Sequence, residues 1–149
     1  MSPVTAHSLC YLDTSSYLTI LLGESGFEWI LKSIAGQSLC SSTILLVETQ
    51  RNLVRLSREK FLSQEQYHQA RRQVEADQEL FTLRDLTVDL CQSLTFPAVT
   101  TPRSLDLIHL TTAFWFHREY GLKIFVSQDK KQRISAQGIG LPIVMDTSF

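Results

Sequence analysis

The sequence lacks the features that mark several common classes of protein. Its 149 residues contain no apolar run that approaches the ~20 residues of a membrane-spanning helix. Its three cysteines, Cys10, Cys40 and Cys91, show no Cys-x-x-Cys pair or other spacing typical of a metal site. There is no repeat, linker, low-complexity tract or signal-peptide pattern. We therefore expect one domain over residues 1–149, in a reducing cytoplasm, with Cys10 and Cys40 as buried thiols.

The balance of charge excludes a general electrostatic attraction to nucleic acid. Lysine and arginine number 14 against 15 aspartate and glutamate residues, so the formal net charge is −1 at pH 7. Neither RNA nor an anionic membrane is attracted by the molecule as a whole, and any contact with nucleic acid requires a local basic patch. With 44% hydrophobic and 19% charged residues, the composition is that of an ordinary folded domain.

Short apolar strands and helical segments alternate along the chain. Periodicity and turn residues predict strands over residues 9–12, 38–41, 80–83 and 123–127, and a last edge strand at 142–144. The predicted helices cover residues 15–22, 27–36, 44–58, 63–76, 88–94, 104–120 and 130–137. Ser63 and Gln66 form a capping-box pattern, Ser104 is a predicted N-cap, and two prolines place residues 96–102 in a loop. This alternation predicts an α/β domain with a mainly parallel central sheet.

Four acidic residues lie against apolar runs where predicted strands and helices meet: Asp13, Glu48, Asp106 and Asp129. Asp13 and Asp129 come after the first and fourth predicted strands, whereas the other two lie in the first turns of predicted helices. Charges are rarely placed against apolar sequence unless they are paired, bind a metal or have a function. Each also has a plainer interpretation, as a helix N-cap, a partner of the helix dipole or a solvated helix residue.

These acidic side chains would converge if the strands that carry them are neighbours in the sheet. Ligands of open α/β sheets gather outside the carboxyl ends of the strands, and several carboxylates cannot all stay ionised in one cleft without a cation. Hard oxygen ligands suit Mg²⁺ or Mn²⁺ rather than zinc. Such an ion can activate a water and stabilise a pentacoordinate phosphorus. The pattern therefore predicts a site for phosphodiester hydrolysis with one or two divalent ions.

Basic residues and a histidine lie close to these acids in the sequence. Four basic residues are candidate ligands for substrate phosphates: Arg103, Lys130, Arg51 and Arg55. The last two recur at helical spacing after Glu48, and the alternative for them is a solvated helix face. His109 lies one turn after Asp106 and is either a general base or, as we favour, a packed histidine hydrogen-bonded to backbone.

Taken together, these segments resemble a PIN-domain ribonuclease of the kind found in VapC-type toxins of bacterial toxin–antitoxin pairs. The resemblance covers nearly the whole chain and rests on four pieces of sequence: LDTS at 12–15, SSTILLVE at 41–48, RSLDLIHLTTA at 103–113 and FVSQDK at 125–130. No single piece is specific. The resemblance to this family rests on the order and separation of the four pieces in a chain of this length.

The resemblance implies a three-layer α/β/α sandwich and a role for each acidic position. Asp13, Glu48 and Asp106 would bind the metal, Asp129 would complete the catalytic site, and Ser15 and Ser127 would orient carboxylates or waters. The chain departs from the family at Ser127, where threonine is commoner. The resemblance further implies dependence on Mg²⁺ or Mn²⁺, cleavage of structured RNA such as tRNA or rRNA, a homodimer, and a cognate antitoxin whose tail blocks the site.

Two other classes of function are weighed against a nuclease. The first is a PIN-like binding or scaffold module without catalytic activity. The presence of all four acidic residues argues against it. The second is a phosphoryl-transfer α/β domain. A hydrolase with an aspartyl-phosphate intermediate usually has a second acid two residues after its nucleophile, where this chain has Ser15, and a receiver domain requires a pair of early acids that is missing.

Overall fold

A four-stranded parallel sheet organises the part of the chain that the computed structural model describes, residues 8–93 and 103–144. Its strands are β1 (Leu9–Leu12), β2 (Ser38–Ser42), β3 (Phe81–Arg84) and β4 (Leu122–Val126). They lie in the order β3-β2-β1-β4, and each neighbouring pair is parallel. The predicted parallel sheet is therefore confirmed, with strand ends within one residue of those predicted.

Helices connect the strands, as parallel pairing requires. In chain order they are α1 (Thr14–Leu22), α2 (Phe27–Ile34), α3 (Ile44–Arg58), α4 (Gln64–Asp77), α5 (Val88–Gln92), α6 (Ser104–Tyr120) and α7 (Lys130–Gly138). A 3₁₀ turn at Gln78–Leu80 leads into β3. The capping box predicted for α4 is present: Ser63 Oγ accepts from the Gln66 amide, and the Gln66 side chain accepts from the Ser63 amide. Across the described ranges, none of these helices has both the length and the apolar character to cross a membrane.

Both faces of the sheet are buried, which makes the fold the predicted three-layer α/β/α sandwich. One face packs against α6 and α7 and buries Tyr11, Cys40, Leu110, Ala113, Phe116, Phe125 and Ala136. The other packs against α1 and α2 and buries Cys10, Leu12, Ile30, Ile124 and Val126. Neighbouring strand residues such as Tyr11 and Leu12 point to opposite faces, so β1, which is buried on both faces, is apolar throughout. Cys10 and Cys40 are free, buried thiols, as predicted.

The order of the strands places the carboxyl ends of β1 and β4 side by side. Chain order runs outward from β1 through β2 to β3 on one side, while β4 is added on the other side. Leu12 pairs with Val126, so the two strands end at the same level. In open α/β sheets the point where the strand order reverses is where ligands bind. The strand order therefore makes the edge directly after Leu12 and Val126 the crevice where a ligand is expected.

Two details of the structure differ from the sequence-based prediction, and one predicted segment lies outside the described residues. Residues 142–144 do not form a strand. The chain bonds to β4 there through the carbonyl of Pro142, which accepts from the Phe125 amide at 2.7 Å, but proline has no amide to continue a ladder. Ser104 is the first residue of α6 rather than its cap, and Arg103 in the cap position makes no side-chain capping bond. The loop predicted at 96–102 lies outside the described residues.

Candidate metal-dependent active site

Asp13 begins the site at the end of β1. The residue is only 4% exposed, and its Oδ1 accepts from the Ser16 amide at 3.0 Å and from the Ser15 hydroxyl at 2.7 Å. The residue thus caps α1, as a carboxylate before a helix does. Its own amide donates to the carbonyl of Val126, which fixes the turn against β4. Asp13 is therefore both the N-cap of α1 and a residue of the crevice.

Two serine hydroxyls tie the loop after β1 to the loop after β4. Ser15 Oγ accepts from the Gln128 amide at 3.1 Å and lies 3.4 Å from Ser127 Oγ. Ser127 Oγ in turn accepts from the Asp129 amide at 3.1 Å. The structure therefore brings Ser15 and Ser127 together between Asp13 and Asp129. A threonine at position 127 would supply the same hydroxyl.

Asp129 and Asp106 begin two further helices at this edge of the sheet. Asp129 is exposed, and its Oδ1 accepts from the amides of Lys131 and Gln132 at the start of α7. Asp106 lies in the first turn of α6, and its carbonyl accepts from the buried side chain of Gln132 at 2.9 Å. Together with α1, three helix amino-termini therefore surround the carboxylates, and their positive potential favours negative charge there.

The charges of Asp129 and Asp13 act on Asp106. Burial raises the pKa of Asp106, and the negative charges of Asp129 and then Asp13 raise it further. Arg103 and His109 act in the opposite direction without cancelling the effect. The net pKa of Asp106 lies above its ordinary value, as expected where like charges share a cleft. The same repulsion is what a bound cation would relieve.

Glu48 has a different set of neighbours. Its Oε1 accepts from the Thr14 hydroxyl at 2.7 Å and lies 2.8 Å from Nε2 of His109. The other ring nitrogen of His109, Nδ1, lies 2.8 Å from the hydroxyl of Tyr11. Burial raises the pKa of Glu48, but the hydrogen bonds and charge of His109, the Thr14 hydroxyl and the charge of Arg51 outweigh it. The net pKa of Glu48 is lowered, so this side chain is a carboxylate.

The partners of His109 correct the sequence-based interpretation. The ring is packed, with 2% of the residue exposed, as we favoured. Its hydrogen bonds, however, go to the side chains of Tyr11, Thr14 and Glu48 rather than to backbone. Backbone carbonyls in the middle of α6 already accept from the helix itself, whereas the ring projects towards β1 and α3 and meets side chains there.

The acidic side chains at this edge of the sheet offer hard oxygen donors to a divalent ion. In residues 8–93 and 103–144, no three histidine, cysteine or acidic side chains lie close enough together to hold one metal ion between them. Mg²⁺ commonly binds through one or two carboxylates and keeps several waters. A pair of aspartates in the electrostatic cluster, with waters in the other positions, fits that requirement. Hard carboxylate oxygens exclude a preference for soft metals.

The candidate basic ligands occupy different surroundings. Arg103 and Lys130 are exposed at the starts of α6 and α7, beside the aspartate cluster. Arg51 is exposed on α3, and its charge acts on Glu48. Arg55 forms an exposed ion pair with Glu59 at 3.0 Å, one helical turn further along α3. Arg103, Lys130 and Arg51 are thus exposed near the acidic residues, while Arg55 has an acidic partner of its own.

Sequence reasoning misses three residues that organise the site: Tyr11, Thr14 and Gln132. Tyr11 lies two residues before Asp13, so strand alternation could have placed both on the same side. Thr14 directly follows Asp13 and looked like part of a turn signal. The role of Gln132 depends on how α7 packs against α6, for which the sequence carries no local signal.

Comparison with known proteins agrees with this architecture. None of the curated proteins matches the chain. Among solved structures, a chain from the crystal structure of VapBC2 from Rickettsia felis bound to a DNA fragment from their promoter superposes with a TM-score of 0.62. The match is 12% identical in sequence and covers 91% of this chain and 97% of the other, so the likeness is one of fold. The family profile described as PIN domain matches residues 10–136. Because that match takes in most of the sequence, the chain belongs to the PIN-domain family.

Proposed function

We propose that this chain is a single-domain endoribonuclease that depends on Mg²⁺ or Mn²⁺ and hydrolyses RNA phosphodiester bonds. The observation that carries the proposal is the cluster of Asp13, Asp106 and Asp129 at the crevice between β1 and β4. Burial, and then the negative charges of Asp129 and Asp13, raise the pKa of Asp106, and a divalent cation is the simplest partner for such a cluster. Members of the PIN-domain family are generally nucleases, which supports phosphodiester hydrolysis as the class of reaction.

Each proposed catalytic residue has a distinct part. Asp13 and Asp106 would hold the metal, and Glu48 from the neighbouring α3 and Asp129 would complete the site directly or through metal-bound waters. When bound, the metal supplies water activation and neutralises charge on the phosphate. Ser15 and Ser127 keep the loops that carry Asp13 and Asp129 at a constant separation through their hydrogen bonds.

The RNA backbone would approach along the basic residues that border the crevice. Arg103 and Lys130 stand beside the aspartates, and Arg51 stands beside Glu48, so each can contact a phosphate next to the one that is cut. Arg55 would need to leave Glu59 to take part. An exposed ion pair of this kind contributes only about 0.2–1 kcal/mol, so exchange of partner is energetically accessible. Local contacts of this sort are required because the net charge of −1 attracts no RNA.

Binding of Mn²⁺ should separate an active nuclease from a catalytically inert PIN-like module. Saturating the site at about 100 times the dissociation constant stabilises a protein by about 2.7 kcal/mol, which for a chain of this length is a rise in Tm of about 5–10 °C. We expect that rise in a thermal-shift titration with millimolar MnCl₂, and no rise in the same titration of Asp13→Asn. A parent protein that millimolar Mn²⁺ does not stabilise would favour the inert module.

We further propose that the nuclease is the toxin of a type II toxin–antitoxin pair. The support is the fold shared with a chain of the VapBC2 complex, together with the PIN-domain match. In that role the enzyme acts in the cytoplasm on tRNA or rRNA, as a homodimer, and a cognate antitoxin protein inhibits it.

Expression of the chain alone tests the toxin role. Induction in a bacterial host should stop growth within one or two generations and yield discrete fragments of tRNA or rRNA on a gel, because no antitoxin is present to block the site. Asp13→Asn, expressed to the same level, is the matched control and should leave growth and RNA intact. Growth of the parent strain at the rate of the control would argue for a nuclease without this toxic role.

A further inference from the structure

His109 lies at the centre of a buried hydrogen-bonded chain that ends on Glu48. Tyr11 contacts Nδ1 of the ring at 2.8 Å, and Nε2 reaches Glu48 Oε1 at 2.8 Å and Thr14 Oγ at 3.0 Å. We propose that Tyr11 and His109 are positioning residues that, with Thr14, set the orientation of the Glu48 carboxylate. This inference rests on the proposed nuclease function, in which Glu48 helps to hold the metal.

The direction of the hydrogen bonds follows from the chemistry of the end groups. Glu48 is a carboxylate and can only accept, so Nε2 of His109 and the Thr14 hydroxyl both donate to its Oε1. The Tyr11 hydroxyl is fully buried and pairs with Nδ1 as a donor when the ring is neutral and as an acceptor when the ring is protonated. One consistent arrangement therefore runs from Tyr11 through His109 to Glu48, and each polar atom in it has a partner.

Tyr11, Thr14 and His109, which together we call the clamp, are buried, whereas the Glu48 side chain that they hold is partly exposed. Tyr11 is fully buried and stacked on Phe125 with ring centroids 5.5 Å apart, and Thr14 is also buried. The Glu48 side chain is 17% exposed at the edge of α3, and a glutamate without partners samples many rotamers. Anchoring Oε1 to β1, α1 and α6 selects one of them in advance, which lowers the entropy lost when a ligand binds.

Anchoring one oxygen determines what the other can do. Within the described part of the chain, both hydrogen bonds to the Glu48 carboxylate reach Oε1. Oε2 is thereby left to a metal ion or to one of its waters. Residues that orient a ligating carboxylate in this way tune metal affinity, and their loss typically weakens affinity or activity by about 10–100-fold.

Two substitutions of His109 separate a positioning role from a merely structural one. Asparagine places an amide near Nδ1 and keeps a partner for Tyr11, whereas glutamine places an amide near Nε2 and keeps a donor for Glu48. In calorimetric titrations without RNA, we expect His109→Asn to bind Mn²⁺ about 10–100-fold more weakly than the parent. We expect His109→Gln to recover most of that loss. His68→Asn, the same change at an exposed position on α4, should bind as the parent does.

The outcomes distinguish this inference from the proposed function. If the parent binds Mn²⁺, Asp13→Asn does not, and folded His109→Asn binds as tightly as the parent, only the positioning role is overturned. Equal losses in the asparagine and glutamine variants would also overturn it, because a general packing defect does not depend on which nitrogen is replaced. A parent that binds no Mn²⁺ would overturn the inference together with the metal-dependent nuclease.

A variant outside α6 keeps the test decisive if His109→Asn does not fold. Thr14→Val removes the second donor to Glu48 Oε1 and conserves the volume of the side chain. It should weaken Mn²⁺ binding in the same direction, and in cleavage assays with saturating metal it should lower kcat more than it raises KM. Parent-like Mn²⁺ affinity in folded Thr14→Val would contradict the clamp.

Discussion

Asp13→Asn is expected to lose RNA cleavage by at least about 100-fold, or about 2.7 kcal/mol of transition-state stabilisation, while the fold remains intact. Asparagine retains an Oδ1 that can accept from the Ser16 amide and the Ser15 hydroxyl, so the cap of α1 survives. The negative charge that would hold the metal does not survive. Cleavage of bulk tRNA and rRNA at fixed Mn²⁺, followed by gel, and circular dichroism of the same preparation measure the two effects.

Asp106→Asn should lose cleavage to the same extent and differ from Asp13→Asn in stability. The pKa of Asp106 is raised, so its contribution to stability is complete below the unfolded carboxyl pKa, about 4, and is lost as the pH rises through the folded pKa. At neutral pH and without metal, the ionised side chain therefore destabilises the fold. Asp106→Asn should melt a few degrees above the parent in EDTA at pH 7, and the difference should vanish as the pH falls below about 4.

The cleavage measurements require a control variant that carries the same chemical change outside the site. Asp85→Asn makes the same chemical change at an exposed site after β3, away from the cluster, and should retain parental cleavage. Parental rates in both Asp13→Asn and Asp106→Asn would remove the carboxylate cluster from the mechanism. A lower Tm for Asp106→Asn in EDTA would show that repulsion among the three aspartates does not decide stability there.

Phe125→Ala is expected to have the largest effect on stability, a loss of about 3–5 kcal/mol. Phe125 is 1% exposed on the central part of β4 and stacks on Tyr11 at 5.5 Å with an interplanar angle of 16°. Truncation removes that contact and leaves a cavity between the sheet and α6, because the neighbouring side chains are already packed. Since the total stability of a domain is about 5–15 kcal/mol, the variant should be unfolded to a measurable extent at 37 °C.

Urea unfolding followed by tryptophan fluorescence measures this loss. Ile134→Ala, at a position on α7 that is 50% exposed, is the control and should change stability by less than about 0.5 kcal/mol. A loss under about 1 kcal/mol in Phe125→Ala would mean that the core around Tyr11 can collapse onto the cavity, in contrast to the usual range for buried phenylalanine.

Local sequence patterns were sufficient for most elements and for the fold class. The strand ending at Leu12 is visible because the apolar run stops there at Asp13, and the end of β4 is predicted one residue too late, at 127. The capping box at Ser63 is a short-range signal that depends on four residues only. The segment after Pro142 could not be assigned in this way. Whether its carbonyls pair with β4 depends on an edge that exists only after the sheet has formed.

The sequence alone determined which acids, serines and basic residues were candidates, because charges beside apolar runs and family motifs can be read along the chain. Only the tertiary structure decided their grouping: Asp13, Asp106 and Asp129 share one electrostatic cluster, while Glu48 pairs with His109. The physical reason is that strand order and helix packing bring together residues that are far apart in the chain, such as Tyr11 and His109. Hydrogen bonds across that separation leave no periodic trace in the sequence, whereas burial and capping do.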